Sequence, residues 1–135
     1  MLYGQEHVKR YEETDGAEGY LFGPLDAEIL ILTTVGRKSG LERKNALIFR
    51  EVDGAYAIVS SDGGAAAHPG WHFNLEADPN VKVQIKADRF AARARVATDE
   101  ERARIWPLMT EVWPDYDNYT KKTDRQIPIV LLERQ

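Results

Sequence analysis

Five consecutive residues, Gly36-Arg37-Lys38-Ser39-Gly40, combine two permissive backbone positions with two cations and a hydroxyl. A loop of that kind turns N–H groups, a guanidinium and an ammonium toward one point. It suits a phosphate or a carboxylate. It is not a Walker A loop, because the Gly-x-x-x-x-Gly-Lys-Ser/Thr spacing is absent. The same residues also suit a solvated surface turn, and spacing alone does not separate the two readings. A second loop carries the adjacent glycines Gly63 and Gly64. It allows close backbone approach to a flat ligand or serves as a flexible connection. Trp113, Tyr116 and Tyr119 recur every three residues, which places them along one side of a helical turn. That stripe is either core packing or an aromatic wall beside a planar substrate. His68 and His72 are four apart, but Pro69 and Gly70 intervene and there is no His-Glu-x-x-His, so no metal site is expected. No nucleophile elbow and no assignable pair of catalytic carboxylates is present.

The elements that must carry these residues are legible in part. Val8–Glu13 suits a short helix. Ala27–Val35 contains the unbroken apolar run Ile29–Leu32 and predicts a strand buried on both faces. The basic loop follows it directly. Asn45–Val52 and Ala55–Ser61 read as strands joined by an Asp53-Gly54 hairpin turn. Gly70–Ala77 predicts a short helix. Val81–Ala87 and Phe90–Ala97 alternate as strands. Thr98 with Glu101 forms a capping box that opens a helix. Pro107 is expected to kink or shorten that helix, and Pro114 to break it again. Ile127–Glu133 predicts a last strand. About six mostly antiparallel strands with a few flanking helices indicate an α+β, mainly β, small barrel in one domain spanning 1–135 that begins with a helical or loop segment over 1–26.

Composition bounds the function. The chain has 135 residues, 43% apolar and 30% charged, an ordinary globular balance. With no cysteine, disulfides, thiolate nucleophiles and Cys-bound metals are excluded. No signal peptide and no apolar run near the roughly 20 residues of a bilayer span is visible, so a cytoplasmic protein without a transmembrane segment is expected. The net charge of −4 argues against nucleic acid as partner. Residues 1–28 are acidic, which argues against peripheral membrane association. Arg37, Lys38, Arg43 and Lys44 face Glu42 alone over 37–44, the densest positive segment.

The order of several blocks carries a resemblance. Ile31-Leu32-Thr33-Thr34-Val35-Gly36-Arg37-Lys38-Ser39-Gly40, then Ser60–Ala65, then His68-Pro69-Gly70-Trp71-His72-Phe73-Asn74-Leu75, then Asp78-Pro79-Asn80-Val81 and Thr123–Ile129 resemble the deazaflavin (coenzyme F420)-dependent nitroreductase family. That family belongs to the split β-barrel flavin and deazaflavin oxidoreductases and is known mostly from actinobacteria. The resemblance implies a split β-barrel that binds reduced coenzyme F420. It places the coenzyme's phosphate and glutamate tail on Arg37, Lys38, Ser39, Gly40, Arg43 and Asn45. It brings Gly63, Gly64 and Ala65 close to the ring, and adds Trp71, His72 and Asn74 as coenzyme contacts. It implies an acceptor site with Ile48, Trp113, Tyr116 and Tyr119, with Tyr119 nearest the hydride-transfer face and Ser61 opposite, and a proton from Tyr119, Ser61 or water. The acceptor implied is a quinone, a nitroaromatic or an activated enone. Family members often carry lysine where this chain has Asp62, and tyrosine where it has Ile48 and Trp113. A flavin-mononucleotide (FMN) oxidoreductase and a non-catalytic coenzyme carrier are the alternatives, and the sequence is compatible with a homodimer.

Overall fold

The computed structural model describes residues 2–135. Among the described residues, eight strands and four α-helices follow one another: α1 Gly4–Thr14, β1 Leu21–Phe22, β2 Ala27–Val35, β3 Glu42–Ile48, β4 Arg50–Val52, β5 Ala55–Val59, α2 Gly70–Ala77, β6 Asn80–Ile85, β7 Asp88–Val96, α3 Asp99–Val112, α4 Asp115–Thr120 and β8 Ile129–Arg134. All strand pairs are antiparallel, and the sheet runs β1-β2-β6-β7-β8-β5-β4, with β3 on β2.

The expected strand Asn45–Val52 is two strands, and the break explains the barrel. β3 pairs with β2, from Ile29 opposite Ile48 to Val35 opposite Glu42. Past Phe49 the chain changes partner, and β4 pairs with β5. One continuous segment thus joins the two ends of the sheet path and curls it into a split barrel. Phe49 marks the corner and is buried in the interior.

Alternation sorts the apolar residues between three cores. Leu30 and Leu32 of β2, Ile58 of β5, and Val130 and Leu132 of β8 point into the barrel with Trp71 and Leu75 of α2. Ile29 and Ile31 point the other way, onto Val8 and Tyr11 of α1. Val59, Ile129 and Leu131 pack outward on Ile105, Met109 and Tyr116 of α3 and α4. The unbroken apolar run in β2 is therefore covered on both faces.

Helix α3 starts at the expected capping box, where the Thr98 hydroxyl accepts from the Glu101 amide and the Glu101 carboxylate accepts from the Thr98 amide. It continues through Pro107 to Val112. An interior proline costs roughly 3 kcal/mol. Ile105 and Met109 are buried on either side of it, and their burial offsets that cost. Pro114 separates α3 from α4 as expected. Among the described residues, no helix is long and apolar enough to cross a membrane, and no group of His, Asp or Glu could hold a metal.

Candidate functional site

The loop between β2 and β3 is closed by its own backbone. The Gly36 amide donates to Leu41 O and the Gly40 amide to Gly36 O, each at 2.8 Å. Gly40 has φ +72°, a left-handed conformation that favours glycine. At Gly36 a Cβ would lie 2.7 Å from the Ser39 hydroxyl. The loop is anchored to α2 through Asn74. Its side-chain oxygen accepts from the Arg37 amide at 3.1 Å and from the Arg37 guanidinium at 2.9 Å, while its nitrogen donates to Thr34 Oγ1 at 3.2 Å. The Arg37 guanidinium also lies 5.3 Å from the Phe73 ring centre.

Strand alternation then divides the basic segment. Arg43, Asn45 and Leu47 of β3 face an open cleft with Arg37, Lys38 and Ser39. Lys44 faces the other way and pairs with Glu12 of α1 at 2.6 Å. The cleft measures about 620 Å³, and Trp71 and Pro69 supply an apolar side to it. Among the described residues, Arg37, Lys38 and Arg43 form no ion pair, whereas Arg50, Lys82, Arg89, Arg95 and Arg134 each have a carboxylate partner. Three cations without carboxylates around one concave surface suit an anionic ligand. Asp62 lines its rim, the one acid in that lining.

A second cavity, about 230 Å³, adjoins the first through Leu47. Its walls are mostly apolar: Ile29, Ile48, Val59, Phe22, Trp113 and Tyr116, with Ser61 among them. Tyr116 is buried, and burial raises its hydroxyl's pKa above the ordinary value. Tyr119 does not line this cavity. Its hydroxyl accepts from the Trp113 indole at 3.1 Å, so it holds the wall rather than forming it.

The structure thus brings Arg37, Lys38, Ser39, Arg43, Asn45, Trp71 and Asn74 to one cleft, and Ser61, Ile48, Trp113 and Tyr116 to the neighbouring one. Gly40 closes the basic loop beside the first cleft. Gly63 and Ala65 are exposed next to it, and Gly64 is buried against α4. His72 lines neither cavity. It is 2% exposed, and its Nδ1 shares a 2.7 Å hydrogen bond with the Ser60 hydroxyl. Burial, with His68 and Arg125 nearby, lowers its pKa to about 4. Sequence reasoning missed Leu47, which the period of β3 would have found. It also missed Tyr3, His7 and Phe22, which enter the second cavity from the N-terminal segment. No local pattern announces those three, because only the packing of α1 and β1 on β2 brings them there.

The sequence profile of the F420H(2)-dependent quinone reductase family matches residues 3–134. An F420H(2)-dependent quinone reductase of Mycobacterium tuberculosis is 35% identical over 132 residues, covering 96% of this chain and 88% of its own. A solved F420-H2-dependent reductase, FDR-A, is 42% identical with a TM-score of 0.71, over 78% of this chain and 93% of that one. A solved domain-swapped dimer is 38% identical with a TM-score of 0.73, over 96% of both chains. The unpaired cations of the cleft, the split barrel and these likenesses agree, and the chain belongs to the F420H(2)-dependent quinone reductase family.

Proposed function

We propose that this protein reduces a quinone at the expense of reduced coenzyme F420, with the coenzyme in the basic cleft and the acceptor in the apolar cavity beside it. The observation that carries the reading is the set of unpaired cations, Arg37, Lys38 and Arg43, around a cleft that adjoins an apolar pocket. The donor set fits the coenzyme. Its phosphate and glutamate tail are anionic, and the cleft offers two guanidiniums, an ammonium, the Ser39 hydroxyl and the Asn45 amide. Trp71 and Leu47 supply apolar surface for a flat ring.

When bound in its reduced form, the deazaflavin supplies a hydride. The chain's own residues do the rest. Arg37, Lys38 and Arg43 bind the anionic part. Asn74 orients Arg37 by accepting from both its amide and its guanidinium. Ile48, Val59, Trp113 and Tyr116 exclude water from the acceptor and hold its plane. An acceptor quinone takes a hydride and a proton in becoming the quinol. Ser61 lines this pocket, and its hydroxyl or a water molecule would supply that proton. Nitroaromatics share the planarity and electron deficiency of quinones, and the same pocket suits them.

The test is a titration of the protein with oxidised and reduced coenzyme F420, read by quenching of Trp71, Trp106 and Trp113, followed by stopped-flow oxidation of the reduced coenzyme by menadione. Saturable binding with turnover supports the reading. Purification with bound FMN and no deazaflavin binding overturns it. Binding without turnover would make the protein a carrier. The domain-swapped relative sets a dimer as the expectation for light scattering.

A further inference from the structure

The segment Ser60–Ala65 forms the corner between the two cavities, with Ser61 in one and Asp62 in the other. Its conformation is unusual. Asp62, Gly63 and Gly64 have φ values of +44°, +62° and +85°, three left-handed residues in succession. For Asp62 that is a sterically disfavoured region. Within the turn the Gly64 amide donates to Ser61 O at 2.9 Å and the Ala65 amide to Asp62 O at 3.1 Å; the carbonyls on its two flanks are tied together from outside it.

The tie is Arg125, half-buried in the stretch between α4 and β8. Its Nη1 donates to Ser60 O at 3.2 Å, its Nη2 to Ser61 O at 2.8 Å and its Nε to Ala65 O at 2.9 Å. A fourth bond runs from Nη1 to His68 Nδ1 at 2.8 Å. The first two acceptors precede the left-handed turn and the third follows it, so one planar guanidinium spans the mouth of the loop. Among the described residues, Arg125 forms no ion pair, and its charge is met by carbonyls. The loop's other side lies against α4: a Cβ on Gly64 would lie 2.8 Å from Tyr119 O.

We propose that Arg125 is a positioning residue for coenzyme binding and for the acceptor pocket, acting by clamping Ser60–Ala65 into its left-handed turn. The proposal rests on the reading of function given above. Arg125 touches neither cavity, and its effect passes through the loop carbonyls. Lysine cannot replace it. An ammonium donates from a single point and does not span carbonyls on both sides of the turn.

The experiment compares wild type with Arg125→Lys and Arg125→Gln by three readouts: amide hydrogen exchange of the coenzyme-free protein, melting temperature, and coenzyme F420 dissociation constant from tryptophan quenching. The expected result is faster exchange confined to residues 61–67, a melting temperature within a few degrees of wild type, and a dissociation constant raised about tenfold. Unchanged exchange in that segment overturns the proposal, as does a loosened segment with unchanged coenzyme affinity. Exchange raised throughout the barrel, or failure of both variants to fold, makes Arg125 a support of the whole fold and also overturns it. The functional reading fails separately, and in the wild type, if the unaltered protein does not bind coenzyme F420.

Discussion

The basic cleft and the apolar pocket share Leu47 and meet at the Ser61-Asp62 corner, but they are built from opposite materials. The cleft is open and lined by a loop whose charges lack carboxylate partners. The pocket is smaller and walled by side chains from α1, β1, β2, β3, β5 and α4. The first is suited to attract charge at long range, and the second to fit a flat apolar shape once water has left. On the proposed reading, the two ligands are selected largely independently, because Leu47 is the one side chain common to both linings.

Removing charge from the cleft alone tests that independence most severely. Lys38→Ala with Arg43→Ala deletes two cations that have no partner to leave behind. Coenzyme binding is expected to weaken by about 2–4 kcal/mol, roughly 30- to 1,000-fold, at ordinary charge-assisted bond strengths discounted for exposure. The Michaelis constant for menadione should hardly move. An unchanged coenzyme dissociation constant by tryptophan quenching would break the comparison.

Acidification tests what both regions lean on. His72 lies behind the corner and bonds Ser60. Folded, it titrates at about 4 instead of 6.5, because burial disfavours the imidazolium and His68 and Arg125 add to the effect. Between those values the unfolded chain binds a proton that the folded chain refuses. Stability is therefore intact above about pH 6.5 and lost as the pH falls toward 4, by about 2 kcal/mol from this group between pH 7 and pH 5. Urea unfolding at the two pH values measures it, and His72→Gln should flatten the slope. An equal slope in that variant would assign the acid sensitivity elsewhere.

Tyr119→Phe sharpens the comparison on the pocket side. It removes the hydroxyl that accepts from the Trp113 indole and keeps the ring. One such bond is worth about 1 kcal/mol. Menadione kinetics should weaken by about fivefold with coenzyme affinity unchanged. Loss of coenzyme affinity instead would place Tyr119 in the first region. The smallest effect is that of salt. Raising ionic strength from 0.05 to 0.3 M should raise the coenzyme dissociation constant by about threefold through screening and leave the menadione Michaelis constant unaltered. Equal salt sensitivity of both would show that charge governs the pocket as well.

Much of this is legible in the sequence. The Ala27–Val35 strand, the Gly70–Ala77 helix and the Thr98 capping box stand where periodicity and capping chemistry place them. The basic loop announces itself by composition. One expectation failed for a tertiary reason: the strand over 45–52 breaks at Phe49 because barrel closure makes it change partner. Helix α3 is not ended by Pro107, whose neighbours Ile105 and Met109 are buried.

What the sequence by itself determined is whatever depends on neighbours along the chain: strand period, turn chemistry, the helix cap and the density of charge at 37–44. Tertiary structure alone decided which of those charges stay unpaired. Lys44 and Arg43 are adjacent, yet the pleat sends one to Glu12 and leaves the other facing the cleft. It also decided that Arg125, sixty or more residues from Ser60, Ser61 and Ala65, supplies the donors that their carbonyls accept. Hydrogen bonds and ion pairs act over a few ångströms of space regardless of sequence separation. Local pattern therefore names the candidates, and the fold chooses among them.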